Sequence, residues 1–135
     1  MRGFRPHTWS GPLMSLMRVV FGLLYFMHGT QKFFNWPAPF PMDFELVSKF
    51  GIGGGLELVL GLLIMLGLFT RPVAFLAAGH MAATYFMMHV PNGGIWPLNN
   101  GGEAPVLLCF AFLFFAAAGP GTIAVDKPHA DPSKH

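Results

Sequence analysis

The sequence predicts an all-α integral membrane protein, a four-helix bundle that crosses the bilayer with both termini inside. Three observations predict it. The 135 residues are 53% hydrophobic and only 10% charged, against about 25% charged in a soluble domain, which needs charge to cover its surface. Four apolar runs are separated by Pro- and Gly-rich breaks. The basic residues gather at the ends of those runs, where membrane proteins place them.

The first apolar run covers about 13–34 and ends at the proline-rich stretch NWPAPFP, which cannot continue a helix. The second covers about 52–69 and stops at Thr70-Arg71-Pro72. The third covers about 73–90 and ends at Pro91-Asn92-Gly93-Gly94, a loop signal. The fourth covers about 103–118, before Gly119-Pro120-Gly121, and is short for a full span. These runs form one domain over 13–125, preceded by a cytoplasmic segment, 1–12, and followed by a flexible cytoplasmic tail, 126–135. With the N-terminus inside, Arg2, Arg5, Arg18, Arg71, Lys127 and Lys134 lie on or near the cytoplasmic side. Only Lys32 and Lys49 lie on or near the other side. That bias sets the expected N-in/C-in orientation.

Composition also excludes some functions. A net charge of +2 without a basic patch gives no support for nucleic-acid binding. The single cysteine, Cys109, cannot form an internal dithiol redox pair. The basic N-terminus runs into the first apolar segment without an A-x-A-like cleavage site, so it reads as a retained span. Trp9, Trp36 and Trp96 near the span ends fit an aromatic belt, and Arg18 and Arg71 read as interface anchors.

Ionisable groups inside hydrocarbon are costly, and they usually face protein or water. The candidates here are His28, Lys32, Glu57, His80, Tyr85, His89 and Glu103. His28 and Lys32 are one turn apart near the outer end of the first span. Glu57 lies roughly 9 Å deep in the second, at about 1.5 Å per residue. Tyr85 and His89 are one turn apart near the outer end of the third, His80 is deeper, and Glu103 opens the fourth. Small residues share faces with these groups: Gly22 and Gly29 with Lys32, Gly54 and Gly61 with Glu57, Ala78 and Ala82 with Tyr85. Small residues mark helix contacts in membranes, so the seven are expected to converge in one polar ligand pocket in the outer half. No catalytic role and no metal site is assigned.

The segment RVVFGLLYFMHGTQKFF, from Arg18 to Phe34, resembles the first helix of DoxX-family membrane proteins, with an R…HG-x-x-K pattern. GGGLELVLGLLIMLGLFTRPVA, from Gly53 to Ala74, resembles the second helix, with its Glu and a G-L-x-T-R turn. NGGE, ending at Glu103, and GPG followed by Asp126 resemble the boundaries of the fourth. The resemblance implies a four-helix, multi-pass protein of a bacterial inner membrane. The related DoxD branch belongs to a thiosulfate:quinone oxidoreductase, where it works with a second subunit.

Two functional readings follow. In the first, the chain is an accessory subunit of a membrane redox system and holds a quinone or similar small ligand in the outer pocket. His28 and Lys32 would bond its carbonyl oxygens, and Glu57 would handle protons. Without a Cys pair, a Gly-rich dinucleotide fingerprint or a cytochrome c motif, electrons would need a partner subunit. In the second, the chain is a non-enzymatic scaffold or small-molecule carrier, the carrier version requiring a homo-oligomer. A bis-histidine haem, His28 with His80 or His89, is disfavoured because the depths differ by roughly 6–8 Å along the helices.

Overall fold

The computed structural model describes residues 7–126. The outer parts of the predicted terminal segments, with Arg2, Arg5, Lys127 and Lys134, lie outside the described residues. The order is α1 (His7–Phe34), α2 (Lys49–Leu66), α3 (Thr70–Thr84), α4 (Pro97–Asn100) and α5 (Glu103–Ala118). α3 runs on through a wide π turn (Tyr85–His89) into a short 3-10 turn (Val90–Asn92). The protein is all-α, and no strand occurs among the described residues. Three helices are long and apolar enough to cross a membrane: Thr8–Phe34, Lys49–Leu66 and Thr70–Asn92. α5 is a shorter apolar helix.

α1, α2 and α3 begin earlier than the apolar runs suggest, and each early start has a physical cause. α1 starts at His7 and runs through Pro12. Proline withholds one backbone donor, but the chain returning at 120–123 holds this part of α1: Ser15 Oγ accepts from Ile123 N at 2.8 Å and donates to Pro120 O at 3.2 Å. α2 starts at Lys49 because Ser48 caps it, its Oγ accepting from Gly51 N at 3.3 Å. The glycines that follow, unfavourable for a helix by propensity, are buried at contacts: Gly51, Gly53 and Gly54. α3 takes Thr70-Arg71-Pro72 as its first turn, where a proline is tolerated.

α1 packs chiefly on α2, and α3 on α5, while α2 joins α3. A Cβ at Gly29 would come within 2.8 Å of Gly54 O, so glycine there sets the α1–α2 approach. The core joins Tyr25, Leu60, Ile64, Ala74, Ala77, Ala78, Leu108, Phe112 and Phe115. The outward faces carry exposed Leu, Val and Phe, such as Val59, Phe75, Leu107 and Phe110. A large apolar exterior around a packed core suits acyl chains as the solvent.

One end of the bundle is tied by Arg18. The sequence marks it as an interface anchor, but the side chain is buried at 2% exposure. Its Nε donates to Ile64 O at 2.9 Å, its Nη1 to Pro120 O, and its Nη2 to Ile123 O at 2.8 Å. The planar fork thus joins α1, the α2 C-terminus and the returning strap, a task suited to a guanidinium. Beside it, Asp126 accepts from Phe69 N at 2.7 Å and Thr70 N at 2.9 Å, capping α3 from a distant point in the sequence. Burial alone would push the Asp126 carboxyl up. The bonds from Thr70 and Phe69 and the charge of Arg18 outweigh that and hold it below the usual carboxylate range.

Candidate ligand-binding site

Toward the other end of α1, around His28 and Lys32, lies a cavity of about 500 Å³. Its walls come from α1, α2, the end of α3 and α5, and include His28, Lys32, Glu57, Met81, His89 and Leu108. The loop between α1 and α2 adds Phe40 and Met42. The volume lies within the range of about 300–1,000 Å³ common for small-molecule sites.

The centre of the polar wall is an ion pair. Lys32 Nζ donates to Glu57 Oε1, and the two side chains are 14% and 2% exposed. Glycine packing between α1 and α2 brings them together, since Gly54 lies one turn before Glu57 against Phe33 and the Lys32 stem. Lys32 Nζ also sits 5.9 Å from the centre of the Phe40 ring, a cation–π contact. Glu57 Oε2 has no hydrogen-bond partner. It and Thr70 Oγ1 are the buried side-chain polar atoms in that condition among the described residues. A buried oxygen of an ionic group without a partner is a strong departure from the rule that such groups are satisfied.

Of the seven predicted residues, His28, Lys32, Glu57 and His89 line the cavity. His28 is exposed as well as cavity-lining, so one imidazole rides on the outer face of α1 and not wholly on a packing face. The other three do not line it. His80 is half-buried behind the ion pair, where its Nδ1 shares a hydrogen with Tyr25 Oη at 2.7 Å. Tyr85 is buried, but its hydroxyl donates to Ile95 O and accepts from Asn100 Nδ2 at 3.1 Å, so it fastens the α3–α4 connection. Glu103 is exposed at the first turn of α5. An acid there is favoured by the helix dipole, without any ligand.

Two residues that shape the site are not among the seven predicted. Tyr25 is fully buried, edge-on to Phe112 at 5.1 Å, and orients His80. Asn100 organises the rim. Its Nδ2 donates to Gly94 O at 2.8 Å, its Oδ1 accepts from Gly102 N at 2.8 Å, and its carbonyl lies 3.2 Å from His89 Nδ1. Asn100 was visible only as part of the NGGE boundary, because an asparagine before glycines looks like an ordinary turn. No group of three or more metal-ligating side chains occurs among the described residues.

The fold and site define a small α-helical membrane protein with a largely apolar cavity that carries a few ionisable groups. The chain belongs to the DoxX family, whose pattern matches residues 13–90. It is 34% identical to an uncharacterized protein of Haemophilus influenzae, over 92% of each chain. It is 26% identical to an uncharacterized membrane protein of Mycobacterium tuberculosis, over 90% of this chain and 83% of that one. It is also 26% identical to the inner membrane protein YphA of Escherichia coli, over 85% of this chain and 89% of that one. No solved structure matches the chain.

Proposed function

We propose that this DoxX-family protein is a multi-pass protein of the bacterial inner membrane that holds a small redox-active ligand, a quinone being the candidate, as an accessory subunit of a membrane redox system. The observation that carries the reading is the buried Lys32–Glu57 pair in the cavity wall, with one carboxylate oxygen unmatched. An ion pair placed only for stability gains most when every polar atom is satisfied, since burial of both charges is costly. Here the unmatched oxygen belongs to a residue that lines the cavity.

The wall suits a quinone in kind. Phe40, Met81, Met87 and Leu108 offer apolar surface to a ring, and Lys32, His28 and His89 offer polar groups to its oxygens. When bound, the quinone supplies the electron-carrying chemistry. This chain's residues would hold the ring, exclude water and offer a carboxylate for proton exchange. Electrons would come from a partner subunit. With the basic side inside, the Arg18 end faces the cytoplasm and the cavity opens in the outer half of the bilayer.

The test is purification in mild detergent followed by extraction and quantification of bound quinone and quinol. Wild-type protein should carry a stoichiometric amount. The double variant Lys32→Met/Glu57→Leu, which removes the pair without leaving a lone charge, should carry none while remaining folded. Equal ligand content in both, or none in the wild type, would remove the quinone and leave a scaffold or carrier.

A further inference from the structure

Two groups of the cavity wall are acceptors without a donor. Glu57 Oε2 is an acceptor when the carboxylate is ionised, and its partner oxygen is already engaged by Lys32. His89 offers a second acceptor. Its Nδ1 lies 3.2 Å from Asn100 O, and a carbonyl can only accept, so Nδ1 carries the hydrogen. In the neutral ring Nε2 is then left with a lone pair. Lys32 gives one of its three donors to Glu57 Oε1 and sits near the Phe40 ring. Its remaining donors, like those of His28 and Lys49 in the lining, can meet an oxygen of either redox form and so do not discriminate between them. Lys49, at the start of α2, sits 5.4 Å from the centre of its neighbour Phe50.

A quinone head group has only carbonyl and ether oxygens, which accept hydrogen bonds and donate none. The two-electron, two-proton reduced form has hydroxyl groups, each able to donate. We infer that the cavity selects the reduced, hydroxyl-bearing form of its ligand, with one ring hydroxyl donating to Glu57 Oε2 and His89 offering the second acceptor. The inference rests on the proposed quinone site and adds which redox state that site holds. A buried charged acceptor left without a donor carries a larger penalty than a made bond returns. The oxidised ligand leaves Oε2 as it is, and the quinol satisfies it.

The protein, purified in detergent and kept anaerobic, is titrated with decylubiquinone and separately with decylubiquinol, following the quenching of tryptophan fluorescence. The quinol should bind about ten-fold tighter or more, the scale expected for satisfying one buried charged acceptor. In Glu57→Gln the amide offers a donor as well as an acceptor, so the quinone should gain on the quinol and the ratio should fall to within about three-fold. Equal binding of both forms to the wild-type protein would show that water meets Oε2 in either complex. That result overturns the inference and leaves the quinone site standing, as does tighter binding of the quinone. Binding of neither form overturns both the inference and the site. A preference for quinol that persists in Glu57→Gln also overturns the assignment to this oxygen.

Discussion

Arg18 and Lys32 lie on the same helix, about four turns apart by the helical repeat, and both are cations sheltered from lipid. Their surroundings differ. Arg18 gives its donors to backbone carbonyls at Ile64, Pro120 and Ile123, groups that cannot move or change charge. Lys32 gives its donor to a carboxylate that lines a cavity and keeps one oxygen free. The first arrangement closes the bundle by tying a helix end to the returning chain. The second leaves a buried carboxylate oxygen unmatched on a residue of the cavity wall. A cation in a span is therefore a structural clamp or part of a site according to what it meets, and its position in the sequence does not say which.

The comparison breaks most visibly at Arg18. Arg18→Leu should remove more than about 3 kcal/mol of stability, since buried carbonyls lose charged donors and the strap loses its anchor. Thermal melts in detergent should show this as loss of the cooperative transition. A shift of only a few degrees would make Arg18 an ordinary surface anchor after all.

Lys32→Met should cost about 3 kcal/mol, because it leaves the buried Glu57 without its counter-charge. Adding Glu57→Leu should recover stability to within about 1 kcal/mol of the wild type, as apolar replacement of a buried pair often does. Bound ligand should stay absent. If the double variant melts as low as the single one, the pair holds the fold as Arg18 does, and the contrast between the two ends disappears.

Asp126→Ala should cost about 0.5–2 kcal/mol, the usual effect of losing a helix cap. The pH dependence has a definite sign. The folded carboxyl sits below its usual range, so its contribution is present above the unfolded value of about 3.9 and is lost as pH falls through the lower folded value. The wild-type melting temperature should thus drop more than that of Asp126→Ala on acidification below about pH 4. Parallel curves would mean that the carboxylate caps nothing. Glu103→Gln should have the smallest effect, at most about 1 kcal/mol from the helix dipole. Its quinol affinity should match the wild type, and a marked loss would place Glu103 in the site.

Much of the helical plan was legible because it depends on local chemistry. Apolar runs and Pro/Gly breaks located the four main helices, and α5 spans the predicted residues. The ends were less legible: Ser48 caps α2 just ahead of its apolar run, and Asp126 and the strap hold α3 and α1 through contacts distant in the sequence. The site divided in the same way. His28 and Lys32 lie one turn apart on one helix, so their shared wall follows from helical geometry. Tyr85 and Glu103 have the right residue types and depths, and His80 the right type at a deeper level, but helix rotation and the rim loop assign them elsewhere.

By itself, the sequence determined that this chain is a helical membrane protein of the DoxX family with ionisable groups in its apolar helices. Hydropathy and helical period belong to the chain, whatever it packs against. Only the tertiary structure decided that Arg18 is a clamp, that Lys32 meets Glu57, and that Glu57 keeps one oxygen free beside a cavity. Those outcomes depend on how closely separate helices approach and rotate, and α1 and α2 meet closely where glycines such as Gly22, Gly29, Gly54 and Gly61 leave room for the facing helix.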